Sequence, residues 1–353
     1  MDKLVDNTIN VLSDDELEKL AVEEFKEDPS KIAEEIASLQ EWIKTQPHFS
    51  SIRQDTQFLR LFYRGCNYKL DVTKSKLDLF YSVRANLPAW FDDWDPRLDN
   101  VKRVLDAGVY LPLRGFDKDG RYVILVRQRL ADPATMTIDD CYKAFLMLFA
   151  IALEGNLQAY TRGYVLISDQ EGVTTSHAMM MTPGVMKRHT VVFQDAYPME
   201  NKILINNSRL FMLNMPSMIE KFFNMFLSYL DDQYKTMIKI LPKGDFEALK
   251  EELGEEILPA EYGGKNGTVN EIKDFWKEEL NKHPEFLKKQ TTYKTDESVR
   301  PGKPKTSSDL FGSCSIMLGL FKNTFYWKSI FCKSFSPSIM YTKLRKKVSG
   351  QSD

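Results

Sequence analysis

"LFMLNMPSMIEKFFNMFLSYLDDQYKTMIKIL", residues 210–241, reads as two short apolar strands, "LFML" (210–213) and "TMIKIL" (236–241), joined by a helix over 217–234. Continuous apolar runs of this length mark strands covered on both faces. Two such strands with a helix between them make a crossover unit, which parallel neighbours require. Working outward, "GYVLIS" (163–168) and "YVILV" (122–126) are further runs of the same kind. The segments at 137–160 and 174–195 between the strands have helical spacing. The pattern predicts an α/β domain with a mainly parallel sheet.

The helix at 217–234 carries an unusual stripe. Met218, Ile219, Phe222, Phe223, Phe226, Leu227 and Leu230 share one side, and Glu220, Lys221, Asn224, Ser228, Asp231 and Asp232 the other. Ser217 and Glu220 have the spacing of a capping box, so the helix is expected to be capped by Ser217. "HAMMMTPGVMKRHTVVF" (177–193) adds a second apolar segment rich in methionine, a flexible side chain that adapts to an irregular apolar guest. Together the two segments suit either a protein core or a mainly apolar ligand pocket.

Before the sheet, the first ninety or so residues have helical character. Ser13 with Glu16 forms a capping box, and Asp28 with Pro29 opens a helix whose Ile32, Ile36, Leu39 and Ile43 face inward. After the sheet, Thr268 with Glu271 caps one more helix, and Pro301, Gly302, Pro304 and residues 306–308 mark a loop or linker. The expected organisation is a helical module at 1–95, the α/β domain at 96–266, a C-terminal helix and linker at 267–310, and an unstructured tail at 311–353.

With 353 residues and a formal charge of −2, the chain can bury a large interior, and its charge balance does not ask for nucleic acid. No stretch reaches the roughly 20 apolar residues of a membrane span, and the N-terminus lacks the apolar core of a secretory signal, so a cytoplasmic protein is expected. Cys66, Cys141, Cys314 and Cys332 are scattered without a C-x-x-C pair and read as reduced thiols. Dinucleotide, phosphate-loop and nucleophile-elbow motifs are absent. Asp92, Asp93 and Asp95 read as a solvated turn, "EYGGKNG" (261–267) as a turn, and His177 and His189 as packed or hydrogen-bonded side chains rather than metal ligands. No enzyme activity, cofactor or metal is expected.

Five segments, in order, resemble the CRAL-TRIO family of lipid-binding and lipid-transfer proteins, in particular the branch of alpha-tocopherol transfer protein and retinaldehyde-binding protein. They are "FLRLFYRGCNYKLDVTKSKLDLFY" (58–81), "GYVLISDQEG" (163–172), "MTPGVMKRHTVVFQDAYP" (181–198), "LNMP" (213–216) and "LPAEYGG" (258–264). The resemblance covers roughly residues 10–310. It implies a CRAL-TRIO domain whose sheet floors a hydrophobic pocket beneath a movable gate, the helix after "NMP". The gate would present Ile219, Phe222, Met225 and Phe226 to the ligand, with Leu213 and Met215 just before it. The strand and turn would contribute Leu166, Ser168 and Val173. The next helical segment would contribute Met179, Met181, His189, Val192 and Phe193, and the preceding helix Phe145 and Leu148. Ser168 and His189 are the groups suited to orient a hydroxyl or carbonyl. Headgroup positions carried over from the family fall on Arg64, Lys202, Arg209 and Lys235, whereas Leu227, Gln233 and Met237 stand where relatives are basic.

The function implied is a monomeric carrier that binds a small hydrophobic ligand, such as a tocopherol, retinoid or carotenoid, and moves it between membranes. Transient membrane contact is implied, with phosphoinositide recognition as one form of it. The alternative is an interaction module acting on a small GTPase or in phosphoinositide signalling.

Overall fold

The computed structural model describes residues 3–198 and 202–312, with backbone only at 202, 203, 205 and 221. The N-terminal segment folds as helices α1 (Asp14–Glu23), α2 (Pro29–Lys44), α3 (Thr56–Gly65), α4 (Leu70–Asn86), α5 (Pro88–Phe91) and α6 (Asp99–Ala107). The Ser13–Glu16 capping box and the Asp28 cap before Pro29 form as the sequence predicts. Helix α2 buries Ile32, Ile36, Leu39 and Ile43, each at 9% exposure or less, against Leu59, Phe62, Leu77 and Tyr81. At roughly 1.5–3 kcal/mol per fully buried large aliphatic or aromatic side chain, that face holds the module together.

Strands β1 (Tyr110–Phe116) and β2 (Tyr122–Arg127) are followed by α7 (Ile138–Leu153), α8 (Leu157–Arg162) and β3 (Tyr164–Asp169). Then come α9 (Thr175–Met180), α10 (Pro183–Thr190) with a π-helical continuation at Val191–Ala196, α11 (Lys202–Asn207) and β4 (Arg209–Leu213). The domain continues with α12 (Ser217–Leu227), α13 (Asp232–Lys235), β5 (Ile238–Ile240) and α14 (Phe246–Leu253), and ends in α15 (Val269–Lys282) and α16 (Pro284–Thr292). The sheet order is β1-β2-β3-β4-β5. Strands β2 to β5 run parallel, and β1 pairs antiparallel with β2 at the edge.

Three expectations are corrected. The helix at 217–234 is two helices, because α12 stops at Ser228 and α13 restarts after Asp231. Pro216, not Ser217, occupies the cap position and no side chain caps it, so the Ser217–Glu220 box does not form. The segment at 174–195 likewise breaks at Met181, where Thr182 caps a new helix that begins with Pro183.

Three of the motif segments meet in one hydrogen-bonded knot. Asn214 takes a left-handed conformation (φ 54°) that ends β4 and turns the chain into α12. Its Nδ2 donates to Asp169 Oδ1 (2.9 Å), and its Oδ1 accepts from the Gly244 amide (2.9 Å). The Tyr262 hydroxyl donates to the other oxygen of Asp169 (2.8 Å). Asp169 thereby fixes the angle at which α12 leaves the sheet.

Residues 300–305 form the loop that Pro301, Gly302 and Pro304 predict, held against the N-terminal helices, whereas residues 306–308, expected in the same loop, lead into a short helix, α17 (Ser307–Phe311). Arg300 and Lys305 both pair with Asp78 of α4 (2.7 and 2.6 Å), and Lys294 pairs with Asp92 (2.9 Å). Cys66 and Cys141 are both buried. The expected unstructured tail lies, apart from residues 311 and 312, outside the described residues.

Candidate functional site

Side chains alternate across a strand, so register decides which residues share a face. Tyr110, Val126, Ser168 and Met212 are paired in register, as are Ile124, Leu166 and Leu210, and Tyr122 with Tyr164. This face looks toward α7, because the Phe145 ring lies 5.1 Å from Tyr110 and the Phe149 ring 5.9 Å from Tyr164. Phe145 in turn lies 5.8 Å from Phe193, which stacks on Tyr197.

Tyr160, Tyr164, Tyr197 and His189 each keep part of their surface accessible. Protein nonetheless surrounds them deeply enough that burial pushes the three phenols up and the imidazole down to about 4. These rings are thus partly accessible yet closely surrounded by protein. Phe145, Phe149, Leu166, Phe193 and Leu210 are half-buried in the same way.

Helix α12 lies across this region. Ile219 packs with Val173 and Ala178, and Met215 and Phe222 rest against that cluster, which pins its first turn to α9. Beyond its last turn, the Asp231 amide donates to Gln194 Oε1 (3.3 Å). Between these anchors, Phe222, Phe223, Met225, Phe226 and Leu227 are only half-buried, and Ile219 is the single buried side chain among those described in the helix. By contrast, α2 buries Ile32, Ile36, Leu39 and Ile43 of its apolar face. The α12 stripe is packed more loosely.

Of the residues carried over from the resemblance, Phe145, Leu166, Met181, His189, Phe193, Met215, Phe222, Met225 and Phe226 retain accessible surface, and Ser168 stands on the same sheet face as Leu166. Leu148, Val173, Val192 and Ile219 are buried in packing contacts. Two do not fit. Leu213 pairs with Asp169 on the opposite face of the sheet, beneath the Asp169 knot, whereas Leu210 and Met212 take the α7 side. Met179 is 57% exposed on the outside of α9, since Ala178 is the residue this short helix buries. Phe149, Tyr160, Tyr164 and Tyr197 neighbour one another in this region and were not among the expected residues. Helical spacing from Phe145 and strand alternation from Leu166 would have found the first and third.

The headgroup positions are occupied otherwise. Arg64 is buried, donating to Glu27 (2.9 Å) and Thr161 (3.1 Å), so it does not present its guanidinium at the surface. Arg209 donates to the carbonyls of Asn206 and Ser208, and Lys235 pairs with Asp232 (2.7 Å). The side chain of Lys202 is outside those described. A cleft of about 580 Å³ between α4, the π-helical turn and α13 is lined by Asp71, Asp195 and Asp231, with Lys76 donating to the Asp195 carbonyl (2.6 Å). Its walls carry more negative than positive charge. Among the described residues no cluster of His, Cys, Asp and Glu could hold a metal ion, and no helix is long and apolar enough to cross a membrane.

Residues 106–264 match the CRAL/TRIO domain, and residues 28–101 match a Pinta-like UBA domain. Alpha-tocopherol transfer protein-like from Mus musculus is 25% identical over 256 residues, covering 71% of this chain and 70% of its own. Clavesin-1 from Rattus norvegicus is 25% identical over 256 residues, covering 72% of this chain and 69% of its own. Among solved structures, the crystal structure of Sfh5 aligns with 74% of this chain and 92% of its own, at a TM-score of 0.41 and 13% identity.

Proposed function

This chain carries a CRAL-TRIO domain, the hallmark of a family of lipid-binding and transfer proteins, and from that premise we propose that it carries a small hydrophobic ligand between membranes by binding rather than catalysis. The observation that supports this most is the α12 stripe, whose bulky apolar residues are left half-buried above a sheet face lined with accessible aromatic rings. Surface of that kind costs free energy while it faces water, at about 25 cal/mol per Å². A bound hydrocarbon removes that cost. The name of one relative, alpha-tocopherol transfer protein-like, supports a tocopherol or similar lipid as cargo.

In this reading α12 is the gate. Its anchors are few: Ile219 on Val173 and Ala178 at one end, the Gln194 contact at the other. Releasing them would expose the stripe, which then lies on a membrane as an amphipathic interfacial helix does. Met218 (55% exposed) on α12 and Met179 on the adjoining α9 already present apolar side chains outward and would make the first contact. The acidic cleft and the engaged Arg64, Arg209 and Lys235 favour this apolar contact over a phosphoinositide grip. The carrier acts as a cytoplasmic monomer that associates peripherally with membranes.

The test is extraction of the purified protein with organic solvent and mass spectrometry of the extract, comparing wild type with Phe222→Asp. One apolar species at near one per chain, lost from a variant that retains its helical circular dichroism, is expected. Clean extracts from both, together with a co-purifying protein, would overturn the carrier reading in favour of an interaction module.

A further inference from the structure

His189 sits half-buried on α10, with the Phe193 ring 4.9 Å away on one side and the Phe226 ring of α12 at 5.3 Å on another. Its Nδ1 is 2.9 Å from the hydroxyl of Tyr142. Two arrangements fit these distances: the hydroxyl donates to Nδ1, or Nδ1–H donates to the hydroxyl oxygen while the hydroxyl donates to the Met181 sulfur at 4.0 Å. A thioether at that distance is a weak acceptor and a ring nitrogen at 2.9 Å a strong one. On the stronger of the two acceptors, the Tyr142 O–H is assigned as donor to Nδ1, which in the neutral imidazole places the ring proton on Nε2.

Tyr142 cannot easily turn away. Its ring stacks on Trp90 at 4.0 Å, and the Trp90 indole is itself fixed by donating to Asp139 (2.7 Å). Trp90 is fully buried at the end of the N-terminal helices, so the helical module holds the Tyr142 ring in place beside a histidine of the α/β domain. The relay runs from Asp139 through Trp90 and Tyr142 to His189.

The consequence lies on the far side of the ring. Nε2 finds no hydrogen-bond partner among the described residues, and it is not one of the polar atoms sealed off from solvent. A donor held among phenylalanine rings is costly unless something accepts from it. Burial keeps the ring uncharged near neutral pH, and the adjacent Arg188 directs its guanidinium to Asp139 (3.2 Å), so no cation is offered to a carboxylate here.

Resting on the carrier reading above, we propose that His189 Nε2–H is the donor that selects and orients the cargo, so that the ligand is a neutral lipid ending in a hydroxyl or carbonyl oxygen, seated between Phe193 and Phe226, and not a plain hydrocarbon. Tyr142 and Trp90 are positioning residues for that donor.

Radiolabelled hexadecan-1-ol and hexadecane, presented from cyclodextrin to the full chain, test it, with the alkane as internal reference for the pocket. The ratio of alcohol to alkane affinity is expected to fall about tenfold in His189→Phe, and by a smaller factor in Tyr142→Phe, which frees the tautomer. Nitrogen-15 NMR of wild type should show the Nε2–H tautomer and needs no variant. Binding of neither probe by wild type overturns the carrier reading and this inference with it. Binding of both with the same ratio in wild type and His189→Phe, or an Nδ1–H tautomer, overturns this inference alone.

Discussion

Lowering the pH should destabilise this protein through His189 in a way that replacement by phenylalanine removes. Burial holds the His189 imidazole at about 4, against 6.5 when free. Above pH 6.5 the ring is neutral in both the folded and the unfolded chain, and the residue contributes no pH dependence. As the pH falls below 6.5 the unfolded chain binds the proton and the folded chain does not, so stability declines until the folded form also titrates near pH 4. The loss accumulates at about 1.4 kcal/mol per pH unit, about 3 kcal/mol over that window. His189→Phe starts lower at pH 7, by about 1 kcal/mol for the lost Tyr142 hydrogen bond. Its other acids and histidines titrate as in wild type and cancel in the difference. Urea unfolding of both proteins at pH 7, 5.5 and 4.5 should therefore show wild type the more stable at pH 7 and the variant the more stable at pH 4.5. Parallel loss of stability in the two proteins would show that the imidazole is solvated, and would refute the enclosed placement of His189.

Glu27→Leu should destabilise the helical module by about 3–5 kcal/mol, because it strands the buried guanidinium of Arg64 and removes a partner from Arg60 and Tyr68; a thermal melt reads the loss. Thr268→Ala should cost about 1 kcal/mol by removing the cap of α15, whereas Ser217→Ala, at a position that caps nothing, should change stability by less than about 0.5 kcal/mol, and equal effects in denaturant titrations would contradict the cap assignments. Met179→Glu with Met218→Glu should weaken sedimentation with phosphatidylcholine vesicles about 30-fold, taking about 1 kcal/mol for each half-inserted methionine, while circular dichroism stays unchanged; undiminished sedimentation would move the membrane contact elsewhere on the surface.

The parallel strands were legible because strands buried on both faces must be apolar throughout, and "YVILV", "GYVLIS" and "LFML" are. Strand β1 was not read, since Pro112 and Gly115 interrupt "YLPLRGF"; Pro112 is tolerated because β1 is an edge strand and antiparallel to its one neighbour in the sheet. The caps at Ser13, Asp28 and Thr268 were legible because each is a contact within one turn of chain. Ser217 matched the same pattern and failed. The left-handed Asn214 starts the helix one residue earlier than the box requires.

The sequence by itself determined the element types, the mainly parallel sheet and the apolar character of α12, all of which follow from local spacing and the need to bury a face. It also supplied Asp169, Asn214 and Tyr262 in three separate segments. Tertiary structure decided that these three bond to one another, that Leu213 turns away from the α7 side of the sheet while Leu210 turns toward it, and that Met179 faces outward. It also brought Tyr142 to His189 across 47 residues of chain. The physical reason is the same in each case. Periodicity reports which side of an element is apolar, but strand register, helix breaks and the partner of a buried donor depend on groups distant in sequence, and only the folded packing sets those distances.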